Sequence, residues 1–173
     1  MLMTEDTRNA LNDLVAACFD MNAFCDNLTY NLGAYDYKQI ENILHERVAH
    51  SYPVLSDTIT DMMLSLDARP VRNGIPTYDK DYRGNIVELF DDHERKTNEF
   101  RDKIVRTLEL AELNGDTEVK LALEDFLEDF IPYRKQAEIW ARYAHRYEGN
   151  EKSFEQRFDK ITSVLGNTED DDD

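Results

Sequence analysis

Apolar residues recur at helical spacing through residues 35–66, and this pattern restricts the fold more than any other feature of the chain. The recurring positions are Ile40, Ile43, Leu44, Val48, Leu55, Ile59, Met62, Met63 and Leu66. Such spacing is typical of a helix that is buried along one side. Pro53 removes one backbone hydrogen bond inside the stretch, but the apolar phase resumes after it. We therefore expect one long helix with a kink after Ser51 rather than two unrelated helices.

Three further long helices follow from patterns of the same kind. The first spans about residues 5–31 with Thr4 as its cap, the third about 84–113, and the fourth 117–147, and a shorter amphipathic helix is predicted at 153–165. Asp36 and Asp116 are the expected caps of the second and fourth helices. Residues 67–83 contain two prolines, a glycine and no sustained period, which predicts a long crossover between the second and third helices.

The composition indicates one all-α domain. The chain has 173 residues, of which 41% are hydrophobic and 33% charged, and this balance is sufficient for a single core. Six glycines and four prolines are too few for the turns of an all-β fold. We expect one helical bundle over residues 1–166 and a disordered acidic tail at 167–173.

Charge and targeting signals narrow the possible partners. Thirty-seven acidic against twenty basic residues give a net charge of −17, which opposes binding to phosphate backbones and to anionic lipid and favours metal cations. There is no apolar run of membrane-spanning length and no secretion leader, so a cytoplasmic protein is expected. Cys18 and Cys25 lie about two turns apart on the first helix, too far for a bridge within it, and should be reduced core residues.

One stripe of the second helix carries possible metal ligands. Glu46, His50, Asp57 and Asp61 fall within about 60° of one another if the helix is continuous, and we call these four residues the acidic stripe. Such residues on the polar face of a helix are usually only solvated. Alternatively, carboxylates and an imidazole on facing helices can bind iron.

His93 is the other histidine that the pattern singles out. It lies on the inner face of the third helix with Leu89, Phe90 and Thr97. At such a position a core histidine that makes one hydrogen bond is expected rather than a metal ligand.

The chain resembles the ferritin-like superfamily, and within it most nearly the DNA-protection-during-starvation (Dps) mini-ferritins. The similar passages are LTYNLG at 28–33, YDYKQIENILHE at 35–46, and the fourth helix from the Gly115-Asp116-Thr117 start through Leu123, Phe126 and Leu127 to Trp140. The resemblance covers about residues 5–147. It implies a ferritin-like four-helix bundle with a long crossover between helices two and three and a short extra C-terminal helix.

The resemblance also implies an activity. Members of the family oxidise ferrous iron between two subunits, with two histidines and two carboxylates, and store the ferric product in a shell of twelve copies. Asp57 and Asp61 fit the acid pair of that pattern. The positions that match the histidines are Asn42 and Tyr30, or Glu41 and Thr29, so the usual histidine ligands are not found.

Two expectations follow from the resemblance. One is an iron-binding and storage protein, a homo-oligomer with protection against oxidative stress as its role, whose metal ligands come from Glu41, Glu46, His50, Asp57 and Asp61. The other is a bundle that has lost the ferroxidase centre and acts as a structural or protein-interaction module. In either case DNA binding is doubtful, because the amino end lacks a basic tail and the carboxyl end is acidic.

Overall fold

The computed structural model describes residues 1–162 and 164–165, and within them the regular structure is entirely helical. The predicted acidic tail at 167–173 lies outside the described residues. In chain order the elements are α1 (Glu5–Ala34), α2 (Lys38–Leu44), a π-helical segment (His45–Ala49), α3 (Ser51–Ser65), α4 (Ile86–Leu113), α5 (Thr117–Arg146) and α6 (Glu151–Ile161). The all-α class is therefore confirmed, and the long helices agree with the predicted ones within a few residues at each end.

Residues 66–85 form the predicted crossover, which runs beside α1 from one end of that helix to the other. Near the start of α1, Asn12 Oδ1 accepts a hydrogen bond from Val71 N at 2.8 Å. Near its end, the amides of Asn27 and Asn31 donate to Lys80 O at 3.1 and 2.9 Å. Side-chain amides of α1 thus satisfy backbone groups of a segment that has no helix or sheet of its own.

The second helical stretch departs from its predicted geometry. The expected kink after Ser51 is instead a π-helical segment at His45–Ala49, in which His50 N donates to His45 O at 3.1 Å. Pro53 lies in the first turn of α3, where its missing N–H leaves the Ala49 carbonyl without a helical partner. Asn22 Nδ2 on α1 donates to that carbonyl at 2.8 Å. The proline is therefore accommodated by a side chain from a neighbouring helix.

Aromatic side chains from four elements form the centre of the core. The fully buried ones are Tyr52, Phe90, Phe100, Phe130, Trp140, Phe154 and Phe158. The Trp140 ring stacks on Phe158 with centroids 5.1 Å apart, so the short α6 is packed onto α5 rather than free. Burying each such side chain stabilises the fold by about 1.5–3 kcal/mol, which makes α6 part of the domain.

Of the three predicted caps, one is confirmed and two differ from expectation. Thr4 caps α1 as predicted, because its side chain accepts a hydrogen bond from Thr7 N. Asp116 is the N-cap residue of α5 but makes no capping bond there; its carboxylate accepts from Thr4 Oγ1 at 2.8 Å. Asp36 lies in the turn before α2, with φ of 66°, and Tyr37 occupies the N-cap position. Asp116 thus contacts a residue distant in the sequence, and Asp36 does not occupy the cap position.

Cys18 and Cys25 are buried, free thiols, as predicted. Burial raises the pKa of Cys18 to about 12 and also raises the pKa of Cys25, so both stay protonated near neutral pH. No helix in the described part of the chain is sufficiently long and apolar to cross a membrane.

Candidate metal-binding face

Three of the predicted ligands lie on the outer face of α3 or at its N-cap position. His50, Asp57 and Asp61 are all exposed and follow one another at helical spacing. Two apolar side chains share this face, because Val54 is 64% exposed and Leu64 is 57% exposed. An exposed row in which large apolar residues flank two acids differs from a merely solvated helix face, which is normally polar throughout.

The remaining two predicted ligands lie earlier in the chain. Glu46 is exposed within the π-helical segment. Glu41 is partly buried on α2, where its carboxylate lies against Gly33 of α1 and forms an ion pair with Lys38 at 3.5 Å. Gly33 permits this approach, because a Cβ there would lie 2.9 Å from Glu41 Oε1. Glu41 therefore already has a cationic partner, whereas Glu46 faces solvent.

The structure brings together a histidine pair that the sequence analysis did not single out. The rings of His45 and His50 have centroids 4.1 Å apart, and His45 Nδ1 lies 3.9 Å from Asp26 Oδ1 of α1. On a regular α-helix, residues five apart would point about 140° away from each other. The π-helical hydrogen bond from residue 50 to residue 45 removes most of that divergence. The five-residue spacing of these histidines would therefore predict their contact only if the π-helical turn were predicted as well.

The described residues do not form a complete metal site. Imidazole nitrogen and carboxylate oxygen are both suitable iron ligands. Within residues 1–162 and 164–165, however, no group of three or more His, Cys, Asp or Glu side chains converges closely enough to hold a metal ion. The described residues thus place a histidine pair beside Asp26 without a complete set of metal ligands.

His93 is separate from this face and lies in the core. It is buried between Phe90 and Trp140, with the Trp140 ring centroid 5.7 Å from its own. The predicted hydrogen bond is absent, because neither ring nitrogen has a partner in the described part of the chain. Desolvation lowers its pKa to about 4, so the ring is neutral at physiological pH.

Tyr52 is a second buried polar group without a partner. Its hydroxyl makes no hydrogen bond to any described residue, and burial raises its pKa well above the ordinary value of 10.0. The nearby Thr97 hydroxyl donates instead to His93 O at 2.7 Å. The centre of the core thus contains two uncharged polar side chains, His93 and Tyr52, that make no hydrogen bond to any described residue.

Comparison of the chain with protein-family models and with curated proteins gives no match.

Proposed function

We propose that this chain is a ferritin-like iron-binding and storage protein that assembles from copies of itself. The observation that carries the proposal is the His45–His50 pair, with Asp26 3.9 Å from one ring, on the face that continues along α3 to Asp57 and Asp61. Two imidazoles with carboxylates nearby are the donor types that bind both ferrous and ferric iron. Iron is here the substrate and cargo, not a resident cofactor.

An iron ion that accepts about six ligands needs more donors than this face of one copy provides. A second copy related by a two-fold axis would bring the same set of donors to the opposite side of the ion. Exposed apolar residues support contact between copies at this face. Val54 and Leu64 flank the acids on α3, and Tyr30, 67% exposed, lies one turn beyond Asp26 on α1.

The helix order and the charge also support the proposal. An extended crossover joins two pairs of long helical stretches, which is the connectivity expected of a ferritin-like bundle. Such bundles form closed shells, and we propose that this one contains twelve copies. A net charge of −17 per copy raises the local concentration of cations and would favour nucleation of a ferric mineral inside a shell. Removal of free ferrous iron would protect against oxidative stress.

The test combines iron oxidation with a measurement of size. Ferrous iron is added to the purified protein, and ferric absorbance is followed while light scattering gives the molar mass. Asp57→Asn together with Asp61→Asn keeps the shape of both side chains but removes two negative charges. We expect this double variant to assemble normally and to lose at least about tenfold in the initial rate of iron uptake.

A matched control removes two charges elsewhere. Asp125→Asn with Asp129→Asn changes two exposed carboxylates at the same spacing on α5 and should leave the rate unchanged. Equal rates for parent and the α3 variant would mean that the acidic stripe is only solvated. A 20.3 kDa monomer at all concentrations would exclude the shell. Normal assembly without any iron oxidation would leave the alternative function, a non-catalytic bundle that mediates protein interaction.

A further inference from the structure

A pocket of about 620 Å³ lies between α1, residues 74–78 of the crossover and α4. Its volume lies within the range of sites that bind small molecules. The apolar part of its lining comes from Ala10, Leu14, Ala17, Ile75, Pro76 and Leu110. The crossover thus forms one wall of a partly apolar cavity that the proposed iron chemistry does not use.

Two basic side chains at this pocket have no partner. Lys103 and Arg106 are exposed, lie one turn apart on α4, and make no ion pair or side-chain hydrogen bond within the described part of the chain. By contrast, most other basic side chains of α4 are paired with acids, as Arg95 is with Glu99 at 2.9 Å. In a chain of net charge −17, two cations at this pocket that pair with no described residue indicate an anionic ligand.

The inner end of the pocket is fixed by a polar network. Tyr78 donates to Asp20 Oδ1 at 2.6 Å, and Lys96 Nζ donates to Tyr78 Oη at 2.9 Å and to Asp20 Oδ2 at 3.2 Å. These three residues join the crossover to both α1 and α4. The pocket wall is therefore held in place before any ligand binds, which lowers the entropy cost of binding.

The balance of charge restricts the kind of anion. Three basic side chains line the pocket against two acidic ones, Asp13 and Asp20. Asp20 is matched by Lys96, and Asp13 accepts a hydrogen bond from Asn73 at 3.2 Å. The net excess of one positive charge matches a monoanion better than a phosphate dianion. The apolar lining suits a hydrocarbon tail.

We propose that this pocket binds a small amphipathic monocarboxylate. The carboxylate lies between Lys103 and Arg106, and an unbranched apolar tail lies along Leu14, Ile75 and Leu110. Arg106 offers paired N–H donors that match the two oxygens of a carboxylate, and Lys103 supplies a second positive charge. This assignment is independent of the iron proposal, because it uses a different face and a different ligand.

Titration calorimetry with sodium octanoate tests the assignment on the full-length protein. We expect one site per chain. Octan-1-ol, which has the same tail length but no charge, and acetate, which has the charge but almost no tail, should each bind at least about tenfold more weakly. Amide shifts in an NMR titration should be largest at Gly74, Ile75 and their neighbours in the pocket.

The variant Lys103→Gln with Arg106→Gln should weaken octanoate binding by at least about tenfold while its melting temperature and molar mass stay unchanged. The matched control, Lys152→Gln with Lys160→Gln on α6, removes the same charge from exposed positions outside the pocket and should bind as the parent does. Three results would each overturn the proposal: no binding up to about 10 mM octanoate, equal loss of octanoate binding in both variants, or binding of octan-1-ol as tight as that of octanoate. A change in molar mass on replacing Lys103 and Arg106 would assign the pocket to contact between copies and would also overturn it.

Discussion

Glu155 of α6 accepts a hydrogen bond from the backbone N–H of Gln39 at 2.5 Å, at the start of α2. Its second oxygen accepts from Ile40 N at 3.2 Å. A residue more than one hundred positions along the chain thus performs the capping role that Asp36 was predicted to perform. The contact couples α6 to α2, which leads into the π-helical segment that begins at His45.

Replacing Glu155 by Ala should lower the free energy of unfolding by about 1–2 kcal/mol, because two N–H groups at a helix start lose their acceptor and a negative charge that favours the helix dipole is lost. Glu155→Gln retains an acceptor oxygen and should cost less. Urea unfolding followed by circular dichroism measures both. If the two variants are equally stable, the capping bonds contribute little.

Asn22 should be sensitive to substitution for a different reason. Its amide donates to the Ala49 carbonyl that Pro53 leaves without a helical partner. Asn22→Leu leaves this carbonyl unsatisfied and should destabilise the fold by about 1–3 kcal/mol. Asn9→Leu, at an exposed position of the same helix, serves as the control and should have little effect. Equal stability of the two variants would show that another donor reaches Ala49.

His93 should make the fold sensitive to mild acid. Its folded-state pKa is lowered to about 4 by burial, against the ordinary value of 6.5, so the unfolded chain binds a proton in a pH range where the folded chain does not. Stability should therefore fall as pH decreases from 6.5 towards 4. This residue alone contributes a loss of about 2 kcal/mol between pH 7 and pH 5.

The substitution His93→Phe removes the titrating group and both nitrogens that lack partners, at nearly constant volume. The variant should be at least as stable as the parent at pH 7 and should lose less stability on acidification. Chemical denaturation at several pH values compares the two slopes. Parallel curves for variant and parent would mean that His93 is not responsible for the acid sensitivity.

DNA binding should be absent under physiological conditions. A net charge of −17 repels the phosphate backbone, and repulsion grows as salt is removed. A mobility-shift assay at about 150 mM salt and again at lower salt should show no complex at either concentration. A complex that becomes tighter as salt falls would instead reveal a basic surface sufficient to overcome the overall charge.

Some residues of the candidate site could be predicted from the sequence, and others could not. The exposure of His50, Asp57 and Asp61 follows from the apolar period of their helix, which places polar residues on the outer face. The proximity of His45 to His50 does not follow, because a regular helix would separate them. Asp26 could not be assigned either, since its position beside His45 depends on how α1 packs against the second helical stretch.

The sequence by itself determined the all-α class, the four long helical stretches, the crossover and most of the buried faces, because each depends on the local spacing of apolar residues and on turn residues. The tertiary structure alone decided the π turn at His45–Ala49, the use of Asn22 and Glu155 to satisfy backbone groups, and the burial of His93 without a hydrogen bond to any described residue. These features depend on contacts between residues far apart in the chain, and such contacts are fixed only when the helices pack together.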